Sequence, residues 1–590
     1  MPITYSDRRV MFYDYDSSGS MPDALSRIES IVDDDGLSTH LADYSYLGLR
    51  TFVETDYTQP DVKYTLVGTA GGNDADTGDI YHGLDRFGRI DDSYWYDYGS
   101  TVDVDRIKYG YDRSGSRLWR ENIVARSQGK FFDEKYVYDE IHRLKDMERG
   151  ELTSSNSQIS NLKFTEDWSL DETGNWSGFK QDDNGSGTWD LDQSRTSNDV
   201  NEITDITETA GAAWGTPVYS TAGNMTTMPQ PATPTSSYTA TYDAWNRLVK
   251  IVDGSDTVSE YEYDGAKRRV VQKSFVSGSL DETRHLYYTE PSQWQVVEER
   301  VDSSTDADRQ FVWGKRYIDD LILRDRDTTS NGTLDERLYA LQDANWNLTS
   351  VVNTSGTVQQ RFNYDAYGMP EFLTSDFAAS TNTKSFEVLY TGYRFEKNTM
   401  IFHVRHRVMN AALGCWVQRD PLEDVDGAAL YAYAMENPLN LRDPNGLSPR
   451  LICEYLEDNP CLASILTLVC SGVGFADAIL ALNPAMSVFL NIADCFCDLL
   501  RPVSAGPCQC ESPATSDLIW QLGGCALDVA QIAGQLGNIG RILDIMDTLY
   551  DELTSGNIPG VGGLLCGVTG TPIHCGVIDS APSDTMAAAC

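Results

Sequence analysis

The chain has 590 residues, more than one hydrophobic core usually organises, so at least two structural units are expected. Its 89 Asp and Glu against 46 Lys and Arg give a formal net charge of -43, a field that repels phosphate backbones and excludes nucleic acid as a ligand of the surface as a whole. The first residues, Met1 to Arg9, hold no apolar run of the kind a secretory signal needs, so export by another route, or a longer parent chain, is expected.

From Tyr13-Asp14-Tyr15-Asp16-Ser17-Ser18-Gly19 onward, one short segment recurs at irregular intervals. It is an alternating aromatic strand, Asp, two or three residues, Gly or Asn, then often Arg-Leu. An array entered part-way is the natural reading. Clear copies are Tyr109-Gly110-Tyr111-Asp112 with Gly115, Tyr242-Asp243 with Asn246-Arg247-Leu248, Tyr261-Glu262-Tyr263-Asp264-Gly265, and Phe362-Asn363-Tyr364-Asp365 with Gly368. Degenerate ones lie at Leu84-Asp85, Tyr136-Val137-Tyr138-Asp139, Asp171 with Gly174, and Gln342-Asp343 with Asn347. Each copy encodes a hairpin: alternating aromatics fill one strand face, while Asp and the Gly or Asn after it supply turn chemistry. The following strand alternates too, as in Leu248-Val249-Lys250-Ile251-Val252. Stacked hairpins of this kind make one long sheet. A propeller is disfavoured because its blades recur at a steadier period.

Residues Asp325 to Glu336 place oxygen side chains, Asp325, Asp327, Asn331 and Glu336 among them, at spacings a calcium loop uses. Gly332 falls at the eighth loop position, however, where an EF-hand needs glycine at the sixth. An acidic hairpin loop is the simpler reading. Calcium is the only cofactor the sequence suggests, and none is required.

The tyrosine-aspartate repeats resemble the YD/RHS repeats of bacterial polymorphic toxins, toxin-complex shell components and animal teneurins. Residues 390–447 strengthen the resemblance. Tyr390-Thr391-Gly392-Tyr393-Arg394-Phe395 leads to Leu413-Gly414-Cys415-Trp416, Arg419-Asp420-Pro421, Asn437-Pro438 and Asp443-Pro444-Asn445-Gly446-Leu447, a pattern similar to the RHS repeat-associated core. The resemblance implies autoproteolysis after Leu447, at the Leu447–Ser448 bond, with Asp420 and Asp443 as its carboxylates. Two carboxyls brought close cannot both ionise easily, so one keeps a proton while the other activates water. The alternative is that both Asp-Pro units are turns. Cys415 stands where the family pattern usually has Arg, and Glu423 where Gly is common; loss of that Arg is expected to slow cleavage unless Arg419 substitutes. His403 and His406 read as packed or solvated.

Beyond Leu447 the composition changes. Of 32 Tyr only Tyr455 and Tyr550 follow it, and eleven of the 12 Cys do, a density that suits an oxidising compartment. A small, mainly helical, disulfide-stabilised domain is expected over 448–590, with disulfides preferred to a metal cluster at Cys495, Cys497, Cys508, Cys510, Cys525 and His574. Leu462–Leu480 is nearly long enough to span a membrane but is interrupted by Asp477, so a buried hairpin is preferred to membrane contact.

The expected architecture is therefore mainly β: repeats over 1–389, core over 390–447, and a variable Cys-rich domain over 448–590. The expected role is the C-terminal part of an extracellular or cell-surface shell that encapsulates or displays its own last domain as cargo, with other cell-surface proteins or glycans as further partners. The competing reading is a self-cleaving aspartyl protease core that releases a toxin or membrane-active domain.

Overall fold

The computed structural model describes residues 2–447, apart from 6, 16–26, 49–50, 69–80, 290–293 and 424–426. All belong to the first of the chain's two units, Met1–Arg450. Ser448 and the expected helical, disulfide-bonded or membrane-contacting segment at 448–590 lie outside the described residues, as does part of the copy at Tyr13–Gly19.

The unit is almost wholly antiparallel β, and each strand pairs with its neighbour in sequence. The array forms two sheets rather than the single one expected. Fifteen strands run from β1 (Pro2–Thr4) to β15 (Ile203–Ala210), and fourteen from β16 (Val218–Tyr219) to β29 (Pro370–Leu373). The break at 211–217 ends in Pro217, which has no N–H to donate to a ladder. Among the described residues the one α-helix is the five-residue α1 (Ile123–Ser127).

One turn geometry explains the repeat. Asp243 accepts from the N–H groups of Trp245 (2.9 Å) and Arg247 (3.0 Å), while Asn246 sits at φ +60°. The same two acceptances, two and four residues on, recur at Asp85, Asp139, Asp264, Asp343 and Asp365. The third residue after each Asp is left-handed, which is why Gly or Asn is favoured there. In the copy at Asp264 the left-handed residue is Lys267 (φ +69°), not the Gly265 the sequence suggests.

The tyrosine and arginine of the motif join one copy to the next. Arg247 Nε donates to Asp243 Oδ2 (2.7 Å), and its guanidinium lies 4.7 Å from the ring centroid of Tyr263 in the following copy. The Tyr263 hydroxyl donates back to the Leu248 carbonyl (2.7 Å). Tyr111, Tyr138, Tyr288 and Tyr364 repeat that return bond to Ile90, Arg117, Arg269 and Leu348.

The early strands of the first sheet pack face to face on the later strands of the second. The Tyr5, Tyr13 and Tyr57 hydroxyls donate to the carbonyls of Phe311, Trp313 and Ala340, and Trp95 Nε1 to that of Gln342. Between the sheets lies one continuous apolar cluster holding Trp95, Trp168, Phe311, Tyr339 and Trp416.

Residues 390–447 add a four-stranded sheet, β30 (Arg394–Phe395), β31 (Phe402–Val404), β32 (Arg407–Asn410) and β33 (Cys415–Trp416), wedged against both large sheets. Glu436 accepts from Trp176 Nε1 (2.8 Å) in the first sheet and from the Tyr367 hydroxyl (2.6 Å) at the end of the second. Ala434, Met435 and Glu436 all have φ between +50° and +58°, a run of left-handed non-glycine residues. Each such residue costs about 1–2 kcal/mol, so the packing around Glu436 must hold the run in place.

Candidate functional site

Strands β31 and β32 form a hairpin with Val404 paired to Arg407, leaving Arg405 and His406 at its tip. The chain's later Asp443–Leu447 stretch runs over that tip. The Asn445 carbonyl accepts from His406 N (3.0 Å), the Pro444 carbonyl from Arg405, and the Gly446 carbonyl from Arg407 Nε (2.6 Å). Arg407 is thereby placed between the two aspartates. Its two terminal nitrogens reach Asp420 Oδ2 (2.6 Å) and Asp443 Oδ2 (3.0 Å).

Both Asp-Pro elements are turns, and both close on this one guanidinium. Asp443 Oδ1 accepts from Leu447 N (3.0 Å), Gly446 N donates to the Asp443 carbonyl (3.2 Å), and Gly446 has φ +65°. These features reproduce part of the repeat turn. At the other element Asp420 Oδ1 accepts from Leu422 N (2.7 Å), with Glu423 at φ +61°, the conformation that favours glycine there. The turn and site interpretations of these aspartates are thus compatible.

Asp443 is fully buried and Asp420 nearly so. The Tyr393 hydroxyl donates to the Asp443 carbonyl (2.7 Å), accepts from Asp443 N (3.1 Å), and lies 3.1 Å from the Tyr433 hydroxyl. Burial raises the Asp420 carboxyl above its ordinary range, and the Asp443 charge adds to this, while Arg407 works in the opposite direction. Asp420 is accordingly suited to hold a proton and to donate it. Asp443, which holds the N–H one residue before the expected scissile bond, is placed to position that bond.

Arg407 and Tyr393 were not identified from sequence as site residues. The guanidinium at the aspartates comes from Arg407, and among the described residues Arg419 makes no ion pair with either. Cys415 faces away from them. Arg407 stacks on Trp416 (4.4 Å to the ring centroid), so its neighbour Cys415 points to the other face of β33, toward buried Arg195. There burial pushes its thiol up to about 12, which keeps it protonated and unreactive.

The four residues of the calcium expectation are not brought together. Asp325 on β25 (Leu321–Arg326) pairs with Arg9 and Arg337. Glu336 on β26 (Glu336–Gln342) pairs with Arg324 and Lys384 on the opposite sheet face, since its cross-strand partner is Arg326 rather than Asp325. Asp327 and Asn331 cap the backbone of their own turn. Among the described residues no group of three or more His, Cys, Asp or Glu could hold a metal ion. His403 is packed, its Nε2 2.8 Å from Glu396, and His406 contacts the Trp294 ring.

Residues 242–275, which hold the turns at Asp243 and Asp264, match the family model described as RHS Repeat. The chain thus carries an RHS repeat there. It is 27% identical over 215 residues to the tRNA3(Ser)-specific nuclease WapA of Bacillus spizizenii, covering 35% of this chain and 8% of the relative. It is 23% identical over 207 residues to toxin subunit YenC2 of Yersinia entomophaga, covering 34% of this chain and 21% of that one. The chain therefore spans about a fifth or less of these relatives' length. Among solved structures it is similar to a mutant Photorhabdus luminescens Tc holotoxin pore (TM-score 0.57, 15% identity, 76% of this chain, 21% of that chain). It is also similar to the TcdB2-TccC3-Cdc42 crystal structure (TM-score 0.55, 14% identity, 75% of this chain, 20% of that chain). At these identities the likeness is one of fold, a mainly antiparallel β architecture.

Proposed function

We propose that the chain forms part of an RHS-repeat shell that encloses or displays the residues after Leu447, and that Asp420 and Asp443 cut the chain there. The observation that carries the cleavage reading is the shared guanidinium: Arg407 holds both carboxylates while Asp443 holds the Leu447 N–H. In this reading protonated Asp420 polarises the Leu447 carbonyl and Asp443 activates water. The water adds to the carbonyl carbon, the bond to the Ser448 nitrogen breaks, and that nitrogen leaves with a proton. Arg407 keeps the pair from repelling each other apart and offsets charge that develops on oxygen.

An extracellular or cell-surface setting, in secretion or intercellular competition, is supported by the likeness to a toxin subunit and by the cysteine density after 447. The nuclease activity in the name of WapA is not carried into this proposal. Residues 448–590 hold Arg450, Arg501 and Arg541 as their only Lys or Arg against fifteen Asp and Glu, which starves phosphate contacts. Among the described residues no helix is long and apolar enough to cross a membrane.

The test is intact-mass and N-terminal analysis of the purified full-length chain. A new N-terminus at Ser448, lost in Asp420→Asn and in Asp443→Asn, is the expected result. A single uncut mass in the parent chain would leave display without release.

A further inference from the structure

We propose that a cavity beside the aspartate pair, with Arg269 in its wall, binds an oxyanion of the phosphate or carboxylate class. The cavity has a volume of about 360 Å³, and its walls carry seven Lys or Arg against three Asp or Glu. That is the reverse of the chain as a whole, whose formal charge is -43. Four of the cations, Arg247, Arg394, Arg405 and Arg407, are neutralised by Asp243, Glu299, Asp319 and the aspartate pair. Lys267, Arg269 and Arg419 have no carboxylate partner among the described residues.

Arg269 carries the argument. It begins β21 (Arg269–Val276), is only 7% exposed, and its Nη1 has no hydrogen-bond partner. Burying a guanidinium without an acceptor costs several kcal/mol, so a folded chain normally supplies one. Buried Arg117, Arg195 and Arg361 also lack carboxylates, yet each donates to amide, hydroxyl or carbonyl oxygens. Arg269 instead lies 5.5 Å from the centroid of the Tyr261 ring, and its side chain donates to no acceptor among the described residues. Glu396 is close enough for its charge to be felt by Arg269 but makes no hydrogen bond or ion pair with it, its oxygens accepting instead from Ser259 and Tyr261 and facing His403. Among the described residues the cavity therefore lacks an acceptor with more than one oxygen for Arg269. Guanidinium groups bind such anions in a forked arrangement, and the additional charge on Lys267 and Arg419 favours a polyvalent one. Trp245, 70% exposed, lines the cavity too, so an anion has a route in from solvent.

The experiment is calorimetric titration of inorganic phosphate, and separately of glutarate, into the full chain at ionic strength held constant with sodium chloride. Saturable heat from at least one anion is expected, and which one responds identifies the ligand's chemistry. Arg269→Gln should weaken it about tenfold or more. Should that variant misfold, Lys267→Asn removes a wall charge while keeping the turn, because Asn246 occupies the same left-handed position in the preceding copy. It should weaken binding about threefold or more. No saturable heat from either anion, or affinity unchanged in the folded variants, overturns the proposal. Asp420→Asn leaves Arg269 in place, so failure of cleavage and failure of anion binding are read separately.

Discussion

The Arg407 guanidinium carbon lies 4.4 Å from the ring centroid of Trp416, and this contact decides which face of β33 belongs to the aspartates. It also gives the site one residue on which two buried carboxylates depend. Arg407→Met would leave Asp420 and Asp443 without their shared cation, a change expected to cost about 3–5 kcal/mol near pH 8. The loss should shrink toward pH 5, where the orphaned carboxyls take up protons instead. Urea unfolding at the two pH values measures this, and the Ser448 N-terminus should be missing from the variant at both.

Cys415→Arg is the complementary test. The family pattern suggests that an arginine here assists cleavage, but the structure puts it beside Arg195, which already donates to the Leu413 carbonyl. A second buried cation in that place is expected to lower stability by about 3 kcal/mol or more with no gain in cleavage yield. A faster cut in the variant would show that the side chain reaches the aspartates.

Glu436 supplies a pH dependence. Burial pushes its carboxyl up to about 7 despite the Tyr367 and Trp176 donors. The folded state then holds the proton more tightly than the unfolded chain. This group's contribution is full below about pH 4.5, declines as pH rises toward 7, and is flat above. Glu436→Gln removes the ionisation, so relative to the parent chain it should gain on the order of 3 kcal/mol between pH 4.5 and pH 8. Paired urea titrations isolate this from His403 and His406, whose pKa values burial lowers to about 4 and which destabilise the fold as pH falls below their unfolded value.

The joint between copies can be measured at Tyr263. Tyr263→Phe removes the bond to the Leu248 carbonyl and should cost about 1 kcal/mol. A double-mutant cycle of Tyr263→Leu, which removes the ring, with Arg247→Met should return a coupling of about 0.5–1 kcal/mol from the stacked guanidinium. Additivity would mean that the stack contributes nothing.

The hairpins were legible because their chemistry is local: aspartate, a left-handed residue three places on, and alternating aromatics all lie within one short window. The partition into two sheets was not, since no single copy records where the array breaks. At the core, both Asp-Pro elements could be read, but Arg407 could not be singled out. It lies in His403-Val404-Arg405-His406-Arg407, a hairpin without the glycine or asparagine that marks the others. Its role emerges only when Asp443–Leu447, nearly forty residues later, folds back over it. The calcium spacing does not translate into a cluster of its four residues for a related reason. Counting along the chain cannot see that Asp325 and Glu336 sit on opposite faces once their strands pair.

The return bond from each tyrosine to the copy before it gives the wall an order of construction. Within each sheet every strand after the first finds a partner in the strand made just before it, and in these joints the closing hydroxyl belongs to the later copy. Such pairing can proceed while the chain is still emerging from the ribosome, without waiting for a distant partner. The face-to-face contacts of Tyr5 with Phe311 and of Tyr57 with Ala340 must come later, once the second sheet exists. The hairpin tip at Arg405 and His406 is likewise made before Asp443–Leu447 can lie across it. Synthesis thus places the residues after 447 last, when the strands before them can already have paired.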